Sequence, residues 1–273
     1  MCIETSPELA KFINELDIKI VSNGYAELDS KWNYGYNKSP YSRVYVTVNG
    51  CGEVSDEHGN VYKLVPGEIC FIPAGANFKY RCDSFMTQIF FHVNYIKSNG
   101  LDLFDDYSKI HILRSPFSES DISRENFFEP SISIATRYMW VITYTACEVI
   151  SAGELKDVAA KSYSPIIEKA VHRICETKSV KLSIAEIADE LYISQSMLSR
   201  KFKEEIGIPF GTYVDKLIFN DAKRDISTGK YSIKEVSVKY GFCDEFYFSR
   251  RFKQLFGLSP SLYKKQVLRF WPC

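Results

Sequence analysis

The chain has 273 residues, 45% hydrophobic and 25% charged, with 34 Lys+Arg balanced by 34 Asp+Glu. That length and composition suit a globular protein of two ordinary domains and exclude a disordered, collagenous or disulfide-dense chain. The zero net charge hides an asymmetry: residues 163–273 hold 19 basic and 13 acidic side chains (+6), and residues 1–162 hold 15 and 21 (−6).

A basic C-terminal part beside an acidic N-terminal part suggests that only one end meets a polyanion. No apolar run approaches the roughly 20 residues that cross a bilayer, so no membrane association is expected. The Met-Cys-Ile-Glu start has no basic segment leading into an apolar one, which points to a cytoplasmic protein. Eight cysteines without a Cys-x-x-Cys pair read as reduced thiols, not as a zinc site or disulfide framework.

Between Tyr41 and Val93, short apolar runs alternate with turn residues. Residues 44–48 end at Asn49-Gly50, 53–55 at the turn 56–60, 61–64 at Pro66-Gly67, and 69–72 at Pro73-Ala74-Gly75, before runs at 78–80 and 86–93. This pattern predicts an antiparallel β-barrel or jelly roll. Residues 64–75 resemble the second motif of cupins, but Phe78 stands where metal-binding cupins carry a histidine, and His58 stands alone near the first motif. A catalytic metal takes about three protein ligands, so neither a metal nor another cofactor is expected. The barrel mouth is instead expected to hold a small molecule. Alternation places Gln88, Phe90 and His92 on one face, with Tyr80 on the preceding strand and Trp32, Tyr34 and Tyr36 upstream on an arm or first strand that covers the opening. Tyr36, Tyr80, Gln88, Phe90 and His92 are the candidate effector residues, and their aromatic faces and hydrogen-bonding groups suit a sugar or another small polar ligand. The plainer alternative makes them barrel core, with His92 a hydrogen-bonded core histidine.

Residues 131–151 are strongly apolar, and helix spacing lines up Ile134, Tyr138, Val141, Thr145 and Glu148 or Val149, with Trp140 and Tyr144 on a neighbouring stripe. A helix apolar around so much of its circumference needs two surfaces. One is the barrel; the other is the same helix of a second subunit, unless the chain itself covers both. The expected division is a cupin-like barrel at 1–125, a helical dimerisation and linker region at 126–162, with the linker at 154–165, and a C-terminal helical domain at 163–273.

The last of these contains a duplication. Ser183, Ile184 and Glu186 recur as Ser232, Ile233 and Glu235, an offset of 49. Ser199, Arg200, Phe202, Lys203, Gly207 and Tyr213 recur as Ser249, Arg250, Phe252, Lys253, Gly257 and Tyr263, an offset of 50, which puts one extra residue near Cys243. After a lead helix at 166–176, Ser183 and Glu186 have capping-box spacing. Leu191-Tyr192-Ile193 makes a turn, and Ser194 caps a helix that stops at Gly207. This is a helix-turn-helix, whose second helix enters the major groove. Leu198, Phe202 and Ile206 face inward and Ser196, Arg200 and Lys203 outward. In the second copy Phe248, Phe252 and Phe256 face inward and Phe246, Arg250 and Lys253 outward. Residues 221–228 supply the connecting helix. Arginine in this position donates twice to guanine O6 and N7, and Lys201 and Lys203 reach phosphates. Phe246 meets a thymine methyl or joins the core.

Residues 184–265 resemble the DNA-binding domain of the AraC/XylS family of transcription regulators. The resemblance is carried by Ile187-Ala188-x-x-Leu191, Leu198-Ser199-Arg200-x-Phe202-Lys203, Gly241-Phe242, Tyr247-Phe248-Ser249-Arg250-x-Phe252-Lys253 and Gly257-x-Ser259-Pro260. It implies two helix-turn-helix units joined by a long helix and reading successive major grooves. Base contacts carried over fall on Gln195, Ser196, Ser199 and Arg200, then on Glu245, Phe246, Ser249 and Arg250, with Lys203 and Lys253 beside them. The chain departs from the family pattern at Ile218 (commonly arginine), Ser237 (alanine) and Phe246 (small and polar). The resemblance also implies a cupin-like effector barrel with Tyr80, Gln88 and Phe90 in its pocket. With it come a homodimer, activation through RNA polymerase, promoter DNA as target, and no enzyme activity. A cupin enzyme with a DNA-binding appendage, or a barrel that binds a protein and no small ligand, are the alternatives.

Overall fold

Residues 14, 16–117, 124–128, 131–152 and 163–269 are described by a computed structural model. Unit 1 takes in Met1–Lys97 and Asp102–Ala160, and unit 2 takes in Ser98–Leu101 and Lys161–Cys273. The expected linker falls largely at residues 153–162, outside the described residues.

In unit 1, β-branched and aromatic residues alternating with polar ones build β1 (Asp17–Asp29), β2 (Asn33–Lys38), β3 (Ser42–Gly50), β4 (Gly52–Asp56), β5 (Val61–Leu64), β6 (Glu68–Ile72), β7 (Asn77–Arg81), β8 (Phe85–Ile96) and β9 (His111–Arg114). They form two antiparallel sheets, β1-β8-β3-β6-β9 and β2-β7-β4-β5. No described strand of one sheet pairs with the other, so the expected barrel is a two-layer sandwich whose edges stay open. The sequence reading finds six of these strands and gives 32–36 only as an arm or first strand, but misses β1 and β9. In β1 the dipeptide Asn23-Gly24 has the look of a turn, yet Gly24 pairs with Phe90 in mid-strand. A Cβ on Gly24 would lie 2.4 Å from Phe90 Cζ, so the glycine is there for close approach by that ring.

Nearly every residue of β8 is buried. One face of its sheet carries Val44, Val46, Ile69, Phe71, Ile89, Phe91 and Val93. The helices of this unit are α1 (Arg124–Phe128) and α2 (Ile132–Ser151), the latter capped by Ser131. Val141, Ile142, Ala146 and Val149 of α2 join that apolar cluster. Each such side chain contributes about 1.5–3 kcal/mol when fully buried. Tyr95, inside the cluster, donates its hydroxyl to the Ile142 carbonyl at 2.9 Å.

Unit 2 is helical: α3 (Pro165–Thr177), α4 (Ile184–Glu190), α5 (Gln195–Ile206), α6 (Phe210–Ser227), α7 (Ile233–Lys239), α8 (Glu245–Phe256) and α9 (Pro260–Arg269). Helix α6 starts at Phe210, eleven residues before the expected connecting helix, because Tyr213, Val214, Leu217 and Ile218 extend its buried stripe. Phe202, Tyr213, Phe219, Phe248 and Phe252 lie in one core, which Leu101 joins. The Tyr213 hydroxyl donates to the Asn99 carbonyl. Ile218, where the family carries arginine, is buried in this core, and Ser237 is buried with its hydroxyl on the Lys234 carbonyl.

The duplication is visible bond by bond. Ser183 accepts from the Glu186 amide while Glu186 accepts from the Ser183 amide, and Ser232 and Glu235 do the same. After α4, the amides of Tyr192 and Ile193 donate to the carbonyls of Asp189 and Ala188; after α7, those of Gly241 and Phe242 donate to Val238 and Ser237. Both are the paired bonds of a Schellman turn, which needs a left-handed residue just past the helix. Gly241 takes that role at φ 82°, and Tyr192 takes it at φ 57° with its side chain 96% exposed. Ser194 caps α5 and Asp244 caps α8, so Cys243 is the extra residue of the second copy. A left-handed non-glycine costs roughly 1–2 kcal/mol, and Tyr192 loses no packing on truncation. Tyr192→Gly is therefore expected to stabilise unit 2 by up to about 1 kcal/mol, after the entropy cost of glycine. Gly241→Ala, whose Cβ would also meet Ser179 Oγ at 2.3 Å, destabilises it by about 1 kcal/mol or more. Thermal melts of the intact chain test this; two unchanged midpoints would remove the left-handed turn as a constraint.

Candidate nucleic-acid interface and sheet interior

Each second helix is rotated by what it buries. On α5, Leu198 and Phe202 are buried and Ile206 packs against the same core; on α8, Phe248, Phe252 and Phe256 repeat this at four-residue spacing. Opposite them, Gln195, Ser196, Ser199, Arg200 and Lys203 are exposed on α5. Phe246, Arg250 and Lys253 are exposed on α8, while Glu245 and Ser249 are half-buried. Phe246 is 85% exposed, which places it outward and not in the core.

The charges on these helices divide into engaged and available. Lys201 is half-buried and bonded at 3.3 Å to Glu205. Burial alone would favour the protonated Glu205, but the Ser164 amide and hydroxyl and Lys201 hold its carboxyl below the usual range. Lys201, which the sequence reading places on a phosphate, is thus engaged by Glu205 in the free protein. Arg251 is likewise held by Asp215 at 2.6 Å. Arg200 lies 3.8 Å from Glu204 with both side chains exposed, a pairing worth little in water. Arg250 sits 5.8 Å from the Tyr247 ring centre. The exposed rings of Tyr192 and Tyr247 were not singled out in the sequence, although their places in the turn and on the first turn of α8 were available to mark them.

The second face of the large sheet in unit 1 is chemically different from the first. Register places Arg43 beside His92, Tyr45 beside Phe90, and Thr47 beside Gln88, so these six side chains share a face. Phe78 and Tyr80 approach from the other sheet: the Arg43 guanidinium lies 4.8 Å from the Phe78 ring centre, and Trp32 lies 6.4 Å from Tyr45 and 4.4 Å from Tyr80. Four of the candidate effector residues, Tyr80, Gln88, Phe90 and His92, are therefore gathered at the sheet interior. Tyr36 is not among them. The register of β2 against β7 shifts by one residue between Tyr34 and Asn37, which turns Tyr36 to the outer side, under Lys79 and with its hydroxyl on the Asp56 carbonyl. His92 stacks on Tyr41 at 4.4 Å, and its Nδ1 is 3.0 Å from the Ser22 hydroxyl. Burial, and then the Arg43 charge, push its pKa well below the ordinary histidine value, so it is neutral. Arg43 and Tyr45 escaped the sequence reading, although they alternate along one strand. Among the described residues, no group of three or more His, Cys, Asp or Glu is placed to hold a metal, and no helix is long and apolar enough to cross a membrane.

Two capped helix-turn-helix units, each presenting an outward arginine, define a DNA-binding protein of the double-reader class. Residues 187–266 match the family described as a helix-turn-helix domain. The Msm operon regulatory protein of Streptococcus mutans is 21% identical over 93% of this chain and 95% of its own length. The raffinose operon transcriptional regulatory protein of Pediococcus pentosaceus is 33% identical over 36% of this chain and 35% of its own length. The fold of ToxT from Vibrio cholerae is similar, at 15% identity and a TM-score of 0.50, over 90% of this chain and 98% of that one. Residues 187–266 carry an AraC-type helix-turn-helix domain, and the chain is a sequence-specific DNA-binding transcription regulator.

The split between engaged and available cations is open to measurement. Lys203→Ala is expected to lower the slope of log affinity against log salt by about 1, whereas Lys201→Ala leaves that slope unchanged. Equal loss of slope in both variants would show that Glu205 releases Lys201 to the backbone.

Proposed function

We propose that this chain is a cytoplasmic activator of transcription whose DNA affinity or DNA arrangement answers to a small molecule held between the sheets of unit 1. The observation that carries the reading is the pair of recognition helices, with Arg200 and Arg250 pointing away from buried aromatics. Arg200, Gln195, Ser196 and Ser199 would read one major groove, and Arg250, Glu245, Phe246 and Ser249 the next, with Lys203 and Lys253 on the backbone. Because Ser196 in one helix is replaced by Phe246 in the other, each subunit would read an asymmetric site.

The division of labour is residues 1–125 for the effector, 126–162 for dimerisation, and 163–273 for DNA. Homodimerisation is supported by α2, where Ile132, Met139 and Trp140 remain exposed beside the buried stripe. A carbohydrate effector is supported by the raffinose operon named for one relative, and by aromatic walls with a few polar groups. Activation implies contact with RNA polymerase. No enzymatic role is proposed.

Binding of genomic fragments by the intact protein tests this. Selected promoter fragments should be retained far better than bulk DNA, and retention no better than bulk would refute sequence-specific regulation by these helices. Arg200→Ala and Arg250→Ala should each relax preference at particular base pairs, by about 1–3 kcal/mol at that position. A uniform loss across all sequences would instead make them phosphate clamps.

A further inference from the structure

Arg43 is 4% exposed and lies inside unit 1, where charged side chains are almost never found without a partner. Its guanidinium stays ionised under all physiological conditions. The rings of Phe78 and Tyr41 flank it, at 4.8 and 5.4 Å, and its polar neighbours are the phenols of Tyr41 and Tyr45. The Tyr45 phenol is neutral, because burial pushes it up to about 12, with Arg43 pulling the other way. The Nε–H of Arg43 has no hydrogen-bond partner among the described residues.

The unit's other buried charges do not supply a counterion. Asp56 accepts from His58, Asn60 and Tyr62 in its own turn. Asp102 accepts from Asn94, Tyr95 and Phe104. Neither forms an ion pair with Arg43 among the described residues. His92, the cross-strand neighbour, is neutral and already stacked. A second orphan lies on the same face: the Oε1 acceptor of Gln88, itself 3% exposed, has no partner either. Arg43 and Gln88 pair with His92 and Thr47, so they stand four residues apart along the strands, about 13 Å at Cα. Tyr45 and Phe90 lie between them.

We propose that the interior of unit 1 takes a small hydroxylated organic anion, its carboxylate or phosphate held by Arg43 and a hydroxyl donated to Gln88 Oε1. This rests on the reading of that interior as the effector site and narrows its ligand class from sugars in general to sugar acids or sugar phosphates. The site supplies one buried positive charge where the acid group would lie, an acceptor at the far end and aromatic surfaces between. A neutral sugar would leave Arg43 buried without a counterion. A simple fatty acid would leave Gln88 without a donor. The arrangement therefore discriminates on both sides, since rejecting an analogue that leaves a buried polar group unpaired is how binding sites achieve large ratios.

The test uses the intact protein, with calorimetry and melting curves against a panel of hexuronates, aldonates and hexose phosphates. The matching neutral hexoses, inorganic phosphate and acetate serve as controls. An acidic sugar is expected to bind and raise the melting temperature while its neutral counterpart does not; the carboxylate and phosphate arms decide which acid group is used. Arg43→Met should raise the Kd of that ligand about 100-fold or more, the usual consequence of truncating one side of a buried charge pair. Gln88→Leu should weaken it less. A ligand-free readout runs alongside: Arg43→Met should melt no lower than the wild type, because the unpaired charge is gone, with promoter binding retained as a check on folding. A lower melting point would mean that Arg43 holds the fold together, and overturns the proposal. Equal binding of a neutral hexose, undisturbed by Arg43→Met, also overturns it but leaves the effector reading standing. No binding by any member of the panel overturns the anion proposal, and binding by none of the controls as well counts against the effector site itself.

Discussion

What α5 and α8 show to solvent depends on what Phe202 and Phe252 bury. A helix with apolar residues every four positions can satisfy its core in only one rotation, and these two aromatics sit at the centre of that stripe in each copy. Once the stripe faces inward, Arg200 and Arg250 have to face outward, two residues before the buried ring. The caps at Ser194 and Asp244 begin each helix, and the left-handed Gly207 and Gly257 end it. The outward surface of each helix is thus set by residues that lie in the core. The same separation appears in the charges. Lys201 and Arg251 stabilise the domain through Glu205 and Asp215, and their neighbours Arg200 and Arg250 remain outward.

Unit 1 reaches specificity by a different periodicity. The central strands β3 and β8 are buried on both sides, so residue parity alone decides environment. Even-numbered Val44 and Val46 join the apolar cluster with α2, while odd-numbered Arg43, Tyr45 and Thr47 line the interior with Gln88, Phe90 and His92. A one-residue slip of β3 could exchange Arg43 for Val44 on the interior face, placing charge in the apolar layer. The cluster against α2 therefore fixes the register on which the polar interior depends.

Much of this architecture could be read before any coordinates. The repeat offset, both capping boxes, the inward aromatics and the single extra residue at Cys243 are all local patterns. They survived because neighbouring helices satisfy the same 3.6-residue period that the sequence displays. Six strands were legible for the same reason, with Gly and Pro marking their ends. What was lost needed long-range information. Strand β1 hides behind Asn23-Gly24, and only the Phe90 ring, 66 residues away in sequence, explains the glycine. Tyr36 was placed with Trp32 and Tyr34 over the opening, and the register shift in β2, which no local pattern announces, turns it outward. Arg43 went unmarked because its burial comes from a second sheet. Helix α6 was read short because its first half carries tertiary contacts, not a cap pattern.

The position of Glu205 has a mechanical consequence. It sits near the end of α5 and holds both the amide and the hydroxyl of Ser164, the residue at which the chain enters α3. A recognition helix and the chain's point of entry into the domain are therefore latched directly to each other, through two hydrogen bonds to one carboxylate. A pull on the entering chain would load α5 directly through these two bonds. The second helix of the first unit is in this sense the anchor for the chain that leads into it.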